Sequence, residues 1–290
     1  MLSYQHVFHA GNHADILKHF VLTYVLQSLN KKDKPYTFFD THSGSAIYNL
    51  FDARSLKTNE AEKGIVQLLK SDDCPVQMRV YLDFVAKYYN KQLYPGSPEI
   101  ERYFMRSQDT LVLSELHPQE IKNLEYNIKN PVFPNENFPS VQVHKRNGWE
   151  MIKALTPPKT KRGAVLIDPS YEETQDYDDA ARIICEINKK WSNGIILLWY
   201  PLLAHREEKI EYMIDTICDS VRKLNENTEI NNIQLKVYDK NAENLPRLYG
   251  SGMLVINAPW QLKEQSDAVI DYVQKKLAKM YENEKEDEKN

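Results

Sequence analysis

Four polar side chains stand where apolar, β-rich runs end. Asp40 closes Tyr36-Thr-Phe-Phe-Asp40, Glu115 follows Thr110-Leu-Val-Leu-Ser114, Asn147-Gly148 follow Val141-Gln-Val-His-Lys145, and Asp168 closes Ala164-Val-Leu-Ile-Asp168. In an open α/β sheet the ligand lies beyond the carboxyl ends of the strands. An acid closing the second strand, here Glu115, can accept hydrogen bonds from both hydroxyls of a ribose. The loop Thr41-His42-Ser-Gly-Ser-Ala46 has small residues that let a ligand approach the backbone, but one glycine where a GxGxxG fingerprint has three. It reads equally as an ordinary βα turn. Asp168-Pro169-Ser170-Tyr171 is more specific. A carboxylate and the next backbone carbonyl can both accept from an exocyclic NH₂, which fixes the direction of the nitrogen lone pair. An aromatic side chain at the fourth position can stack on a flipped base. The plainer reading is a strand-to-turn exit.

His6, His9, His13 and His19 are half of the eight histidines. A metal site needs convergent ligands, and His6-x2-His9-x3-His13 straddles the start of a helix. Hydrogen-bonding roles, or contacts to phosphate, cofactor or base, remain open for them. Tyr4 lies in a segment with no packing pattern of its own. Two basic runs, Lys31-Lys32-Asp33-Lys34 and Lys159-Thr-Lys161-Arg162, read as solvated loops by default. The alternative is a local basic rim for nucleic acid.

The elements that must carry these residues alternate strand and helix. Asn12 is a helix N-cap with Asp15 in the first turn, and apolar spacing predicts a helix to about Asn30. Seven strand candidates follow: Tyr36–Asp40, Thr110–Ser114, Val141–Lys145, Ala164–Asp168, Gly194–Tyr200, Ile233–Tyr238 and Gly252–Asn257. Helical stretches Pro118–Lys129, Trp149–Leu155, Tyr177–Trp191 and His205–Asn225 lie between them. This pattern predicts a mostly parallel sheet with helices on both faces. Roughly 70 residues separate the first two strands, against about 30 for a whole crossover unit. The amphipathic stretches Ser55–Lys70 and Pro75–Tyr89 fill that interval, so a helical subdomain is expected over residues 47–98, inserted in a domain spanning 1–280.

The chain has 290 residues, 42% hydrophobic and 27% charged, with a net charge of −4 and a pI of about 6.1. Bulk charge therefore does not draw it to nucleic acid. The last ten residues, 281–290, hold five acids and two bases and are expected to be a disordered acidic tail. They carry three of the four net negative charges. Cys74, Cys185 and Cys218 are sparse and odd in number, as for reduced thiols. No basic stretch followed by an apolar run opens the chain, and its longest apolar run, Gly194–Leu203, is broken by Pro201. A cytoplasmic protein with no membrane segment is expected.

Several blocks together resemble one family: MLSYQHVFHAGNHADILKH at the start, then DTHSGS, YPGSP, SELHP, DPSY, LWYP and SGMLVINAPW. These are similar to the RlmJ-type 23S ribosomal RNA adenine-N6 methyltransferases, and the likeness runs from Met1 to about Tyr272. DPSY also resembles the (D/N)PP(Y/F) motif of amino-group methyltransferases generally. The resemblance implies a Rossmann-like fold with a seven-stranded, mostly parallel sheet and an inserted helical subdomain. It implies methyl transfer from S-adenosyl-L-methionine to N6 of adenosine 2030 in 23S rRNA, in protein-free or early-assembly RNA, by a monomer that needs no metal.

By motif, the resemblance makes Asp168, Pro169 and Tyr171 catalytic. His19, His42, Ser97, Glu115, Asn147, Gly148 and Asp168 would meet the cofactor, and Tyr4, His6, His9 and Lys18 the RNA. Two positions depart from the family pattern. Asn147 stands where Asp is usual, though its side-chain oxygen can still accept from an adenine NH₂. Ser170 replaces the second proline, which frees the turn but leaves the Pro169 carbonyl in place. The alternatives are a cofactor- or RNA-binding protein without turnover, an N6-adenine DNA methyltransferase, and a dehydrogenase on the same topology, which the missing GxGxxG disfavours.

Overall fold

Asn12 caps the first long helix as its sequence predicts: its Oδ1 accepts from the backbone of Ala14 (2.9 Å) and Asp15 (3.0 Å). The computed structural model describes residues 4–135, 137–238 and 248–287, with side chains to residue 277. A 3₁₀ turn, His6–Phe8, precedes α1 (His13–Asn30). The chain continues through β1 (Thr37–Asp40), β2 (Ile47–Asn49), α2 (Ala53–Thr58), α3 (Glu60–Lys63), α4 (Ile65–Leu69), α5 (Val76–Tyr89), β3 (Leu93–Pro95) and α6 (Ser97–Phe104). Next come β4 (Thr110–Glu115), α7 (Pro118–Lys129), β5 (Ser140–Lys145), α8 (Gly148–Leu155), β6 (Gly163–Ile167) and α9 (Gln175–Lys190). The last elements are β7 (Ile195–Leu202), α10 (Glu207–Leu224), β8 (Ile230–Lys236), β9 (Gly250–Ile256) and α11 (Leu262–Asp287).

Seven strands form one sheet in the order β5-β4-β1-β6-β7-β9-β8. The first five are parallel, and β9 runs antiparallel to both β7 and β8. This is the Rossmann-like, mostly parallel sheet that the alternation of elements calls for. The chain winds outward from β1 through β4 to β5, then crosses back to β6. The switch point, where such sheets open a ligand crevice, lies between β1 and β6. Asp40 ends one of these strands and Asp168 follows the other.

Alternate strand residues feed two cores. Phe38, Leu111, Leu113, Ala164, Leu166 and Leu197 face the core built with α1, α5, α6, α7 and α11. Phe39, Val112, Val165, Ile167, Ile196 and Leu198 face the core built with α8, α9 and α10. Burial on both faces is why these strands read as continuous apolar runs.

Three sequence expectations change. Ser55–Lys70 is not one helix but α2, α3 and α4. Asn59 adopts a left-handed backbone (φ 53°) after α2, and Gly64 breaks the chain again before α4. A Cβ at Gly64 would lie 2.3 Å from the Gly11 carbonyl, so glycine lets the N-terminal segment dock there. Second, the 47–98 interval is not purely helical. The antiparallel pair β2–β3 closes its base, and α6 begins inside its expected end, at Ser97. Its side chains join the same apolar cluster as α1. Third, α11 continues through Asp287, so residues 281–287 of the expected disordered tail are helical. This stretch holds three Glu and one Lys, both good helix formers. Residues 288–290 lie outside the described residues.

Candidate active site

Beyond the carboxyl ends of β1, β4 and β6 lies a cavity of about 590 Å³. Its centre is a chain of charges. Asp168 Oδ2 lies 2.7 Å from Lys18 Nζ, and Lys18 Nζ lies 2.9 Å from Asp15 Oδ1. The other Asp15 oxygen accepts from the Gly11 backbone and pairs with His6 Nε2, both at 2.9 Å. Asp168 Oδ1 has no hydrogen-bond partner among the described residues, so half of this carboxylate is free. Burial raises Asp15, but the charges of His6, Lys18 and His19 overcome this and hold it well below the usual carboxylate range. Burial alone would lower Lys18; Asp15 and Asp168 raise it above its ordinary value instead.

The N-terminal segment forms one wall. Tyr4 Oη and His6 Nδ1 are 2.8 Å apart, and the Tyr4 ring stacks on His9 at 5.7 Å. Glu60, the first residue of α3, holds His9 Nδ1 (2.9 Å) and Asn12 Nδ2 (2.8 Å). Thr58 Oγ1 donates to the Phe8 carbonyl. The segment is thus fastened by the short helices of the insertion. His6 turns to Asp15 and His9 to Glu60, so the two do not converge. Among the described residues no group of three His, Cys, Asp or Glu side chains is placed to hold a metal ion.

The opposite wall follows β1 and β4. Asp40 accepts from Ser97 Oγ (2.7 Å) and the His42 backbone (3.1 Å), and burial pushes its carboxyl up to about 6. His42 Nδ1 lies 2.8 Å from Thr41 Oγ1, and burial lowers its imidazole to about 4. His19 Nδ1 meets Tyr94 Oη at 2.7 Å; burial lowers this imidazole to about 3, and its buried Nε2 makes no hydrogen bond but lies 3.8 Å from Asp15 Oδ1. Glu115 is oriented by three backbone N–H groups, from Gly44 (2.8 Å), Leu116 (2.8 Å) and His117 (2.7 Å). Gly44 has φ 59°, and a Cβ there would meet Tyr48 Oη at 2.2 Å, so this loop position requires glycine.

These features fit the cofactor that the sequence resemblance implies. Glu115 is an oriented carboxylate suited to ribose hydroxyls. His19 offers a buried ring nitrogen with its hydrogen-bonding capacity unused. Asp15, Glu115 and Asp168 favour a cationic sulfonium over an anionic ligand.

Tyr4, His6, His9, Lys18, His19, His42, Ser97, Glu115, Asp168, Pro169 and Tyr171 all line the cavity. Asn147 and Gly148 do not. Asn147 Oδ1 caps α8, accepting from Trp149 N (2.9 Å) and Glu150 N (3.3 Å). A Cβ at Gly148 would lie 2.0 Å from the Thr41 carbonyl, so glycine there lets α8 pack against the loop after β1.

The expectation for Tyr171 also changes. Its ring is 3% exposed, packs 4.6 Å from Tyr177, and its Oη donates to the Trp199 carbonyl at 2.9 Å. Tyr171 itself adopts φ 51°, and its side chain belongs to the core cluster on the α8–α10 side. The ring is a fixed part of the wall, not an open stacking face. Residues that sequence reasoning missed are Trp199 and Arg206. Trp199 lines the cavity with Lys18 Nζ 6.0 Å from its ring centre. Arg206 donates to the carbonyls of Tyr171 (2.6 Å) and Glu172 (3.2 Å), fixing the turn after Asp168. Trp199 lies in LWYP, whose place at a strand end was the available signal. Arg206 carried none.

The two basic runs lie elsewhere. Lys34 precedes β1 and Arg162 precedes β6, so both sit at the amino end of the sheet, opposite the cavity.

A model of the family described as "Ribosomal RNA large subunit methyltransferase D, RlmJ" matches residues 33–287. The ribosomal RNA large subunit methyltransferase J of Escherichia coli is 38% identical over 96% of this chain and 94% of its own. The protein of the same name from Haemophilus influenzae is also 38% identical, with the same coverage. A crystal structure of a Legionella pneumophila protein, 30% identical, superposes with a TM-score of 0.78 over 93% of this chain and 94% of that one. On sequence and fold together, the chain belongs to the RlmJ family of ribosomal RNA large-subunit methyltransferases.

Proposed function

We propose that this protein methylates the exocyclic N6 of one adenosine in 23S rRNA. Family membership makes it a ribosomal RNA methyltransferase with S-adenosyl-L-methionine as donor. The finer reading rests on one observation: Asp168 lines the cavity and is held by Lys18 through Oδ2, while Oδ1 has no hydrogen-bond partner among the described residues. When bound, the cofactor supplies a methyl group on a sulfonium sulfur. Asp168 Oδ1 and the Pro169 carbonyl accept the two N–H bonds of the target amine. Its lone pair then points along the line of transfer, and the rate comes from positioning and electrostatics. Glu115 would hold the ribose hydroxyls, with His19, His42 and Ser97 along the same wall. Tyr4, His6, His9 and Lys18 face the entering nucleotide. Tyr171 supports the turn from below.

Among the described residues no helix is long and apolar enough to cross a membrane. We place the protein in the cytoplasm, as a monomer acting on protein-free or early-assembly 23S rRNA. The test is incubation of purified protein with labelled donor and unmodified 23S rRNA, followed by mass mapping. One N6-methyladenosine supports the reading. No incorporation alongside normal donor binding overturns it in favour of a binding protein, and preferred labelling of competing DNA overturns the choice of substrate.

A further inference from the structure

We infer that the amino end of the sheet carries a second RNA contact, a phosphate-binding groove remote from the catalytic cavity. The inference rests on the reading of the substrate as a large RNA. Among groups other than histidine, the cavity holds Asp15, Glu115, Glu120, Asp168 and Glu172 against Lys18 and Arg206. Lys18 is already committed to two carboxylates. Among the described residues, the charges lining the cavity therefore do little to hold a phosphate backbone, which carries most nucleic-acid affinity.

The opposite end of the sheet has the missing charge. Thr37 of β1 pairs with Gly163 of β6, which brings the two basic runs side by side. Lys31, Lys32, Lys34, Lys159 and Lys161 are all exposed, and none has an ion-pair partner among the described residues. Lys189 and Lys190, at the end of α9, reach the same side, where Trp191 Nε1 donates to the Lys161 carbonyl at 2.8 Å. Asp33 is the exposed acid within the two runs. An open groove of about 1050 Å³ lies beside them, with Lys32, Asp33, Lys34, Arg162, Asn193 and Asn257 on its walls; Lys159 and Lys161 stand outside these walls.

This surface is built rather than loose. Arg106 donates to the carbonyls of Lys32 (3.0 Å) and Lys34 (3.1 Å), and Arg162 to those of Lys34 and Leu29. Both guanidiniums pack 5.5 Å from the centre of the Tyr36 ring. The loop before β1 is thus clamped, and its lysine side chains project from a fixed backbone. Helix dipoles account for basic residues at the ends of α1 and α9. They do not account for Lys34, Lys159 and Lys161, which lie on loops. At about 3.3 Å per strand residue, β6 sets the groove roughly 20 Å from Asp168. An RNA fragment longer than the target hairpin can touch both. Such backbone contacts orient the RNA without reading its sequence.

The test uses the full chain with Lys32, Lys34, Lys159 and Lys161 all changed to alanine, and a second variant with all four changed to arginine. Each is assayed on a short hairpin holding the target adenosine and on a long 23S fragment. In the alanine variant, KM for the long fragment should rise at least tenfold at physiological salt. Its kcat, and kcat/KM for the hairpin, should not change. The slope of log KM against log salt should fall by about 3, at roughly 0.7 for each phosphate no longer neutralised. The arginine variant should match the parent. Equal KM and salt slope in parent and alanine variant would overturn the groove. If the parent methylates neither RNA, the substrate reading fails separately. Direct binding of the long fragment then decides the groove: weaker binding by the alanine variant supports it, and equal binding overturns it.

Discussion

Lys18 fixes Asp168 from the far side of the cavity, 150 residues away in sequence, with Nζ 2.7 Å from Oδ2. The same ammonium lies 2.9 Å from Asp15 Oδ1, so one cation serves two carboxylates in a site where its own side chain is 6% exposed. A pair of this kind costs more to break than it contributes to stability when whole.

Removing Lys18 therefore strands buried charge. Lys18→Met should destabilise the fold by about 3–5 kcal/mol, read as a fall in the denaturant midpoint. Asp168→Asn keeps the shape and one acceptor but loses the ion pair. Methylation should drop by about 10²-fold or more, the scale for removing a group aimed at the reacting centre. Donor affinity should stay within a few-fold. The double variant should be less destabilised than the sum of the two, because each change removes the same pair. Strictly additive stabilities would show that the pair is not coupled.

Asp40 gives a pH signature. Burial raises it to about 6, against the opposing hydrogen bonds from Ser97 and His42. Glu101, buried beside it, is also raised, by burial and by the Asp40 charge; Asp168 and Lys18 act on Asp40 from the cavity. A carboxyl raised in the folded state contributes stability below its unfolded pKa, near 4, and loses it as pH climbs through about 6. Asp40→Asn removes that loss. The asparagine oxygen can accept from the His42 backbone and its NH₂ can donate to Ser97 Oγ. Relative to the parent, this variant should gain stability between pH 4.5 and 7.5, measured by urea unfolding at each pH. A difference that does not vary with pH would show that Asp40 is not raised.

The central strands were legible because they are buried on both faces and run out at polar residues such as Asp40, Glu115 and Asp168. All seven strands of the sheet overlap the stretches, such as Ala164–Asp168, that predict them. Most cavity residues came from motif resemblance rather than pattern. Lys18 shows why: on α1 it is a lysine within an apolar helix, and only the fold brings it to Asp168. The short helices α2–α4 were unreadable because Gly64 breaks the helix to admit Gly11, a close approach with no local signal. The place of the basic runs was hidden for a related reason. Sequence places them just before strands, and only strand direction shows that this is the end away from the site.

Asn147 and Gly148 separate a structural role from a ligand role. Asn147 Oδ1 is already accepting two α8 backbone N–H groups. Asn147→Ala should cost about 1 kcal/mol as a lost helix cap, while Asn147→Asp keeps the cap and adds a charge favoured at a helix N-terminus. If capping is the whole role, calorimetric donor affinity changes less than threefold in both variants. A tenfold loss in Asn147→Ala with little change in stability would instead assign the side chain to the cofactor. Gly148→Ala should behave differently. Its Cβ would press on the Thr41 carbonyl, and Thr41 is hydrogen-bonded to His42 in the wall of the cavity. The clash must push α8 and this loop apart, so stability and donor affinity should fall together. A fall in stability alone would show that the loop after β1 does not hold the donor.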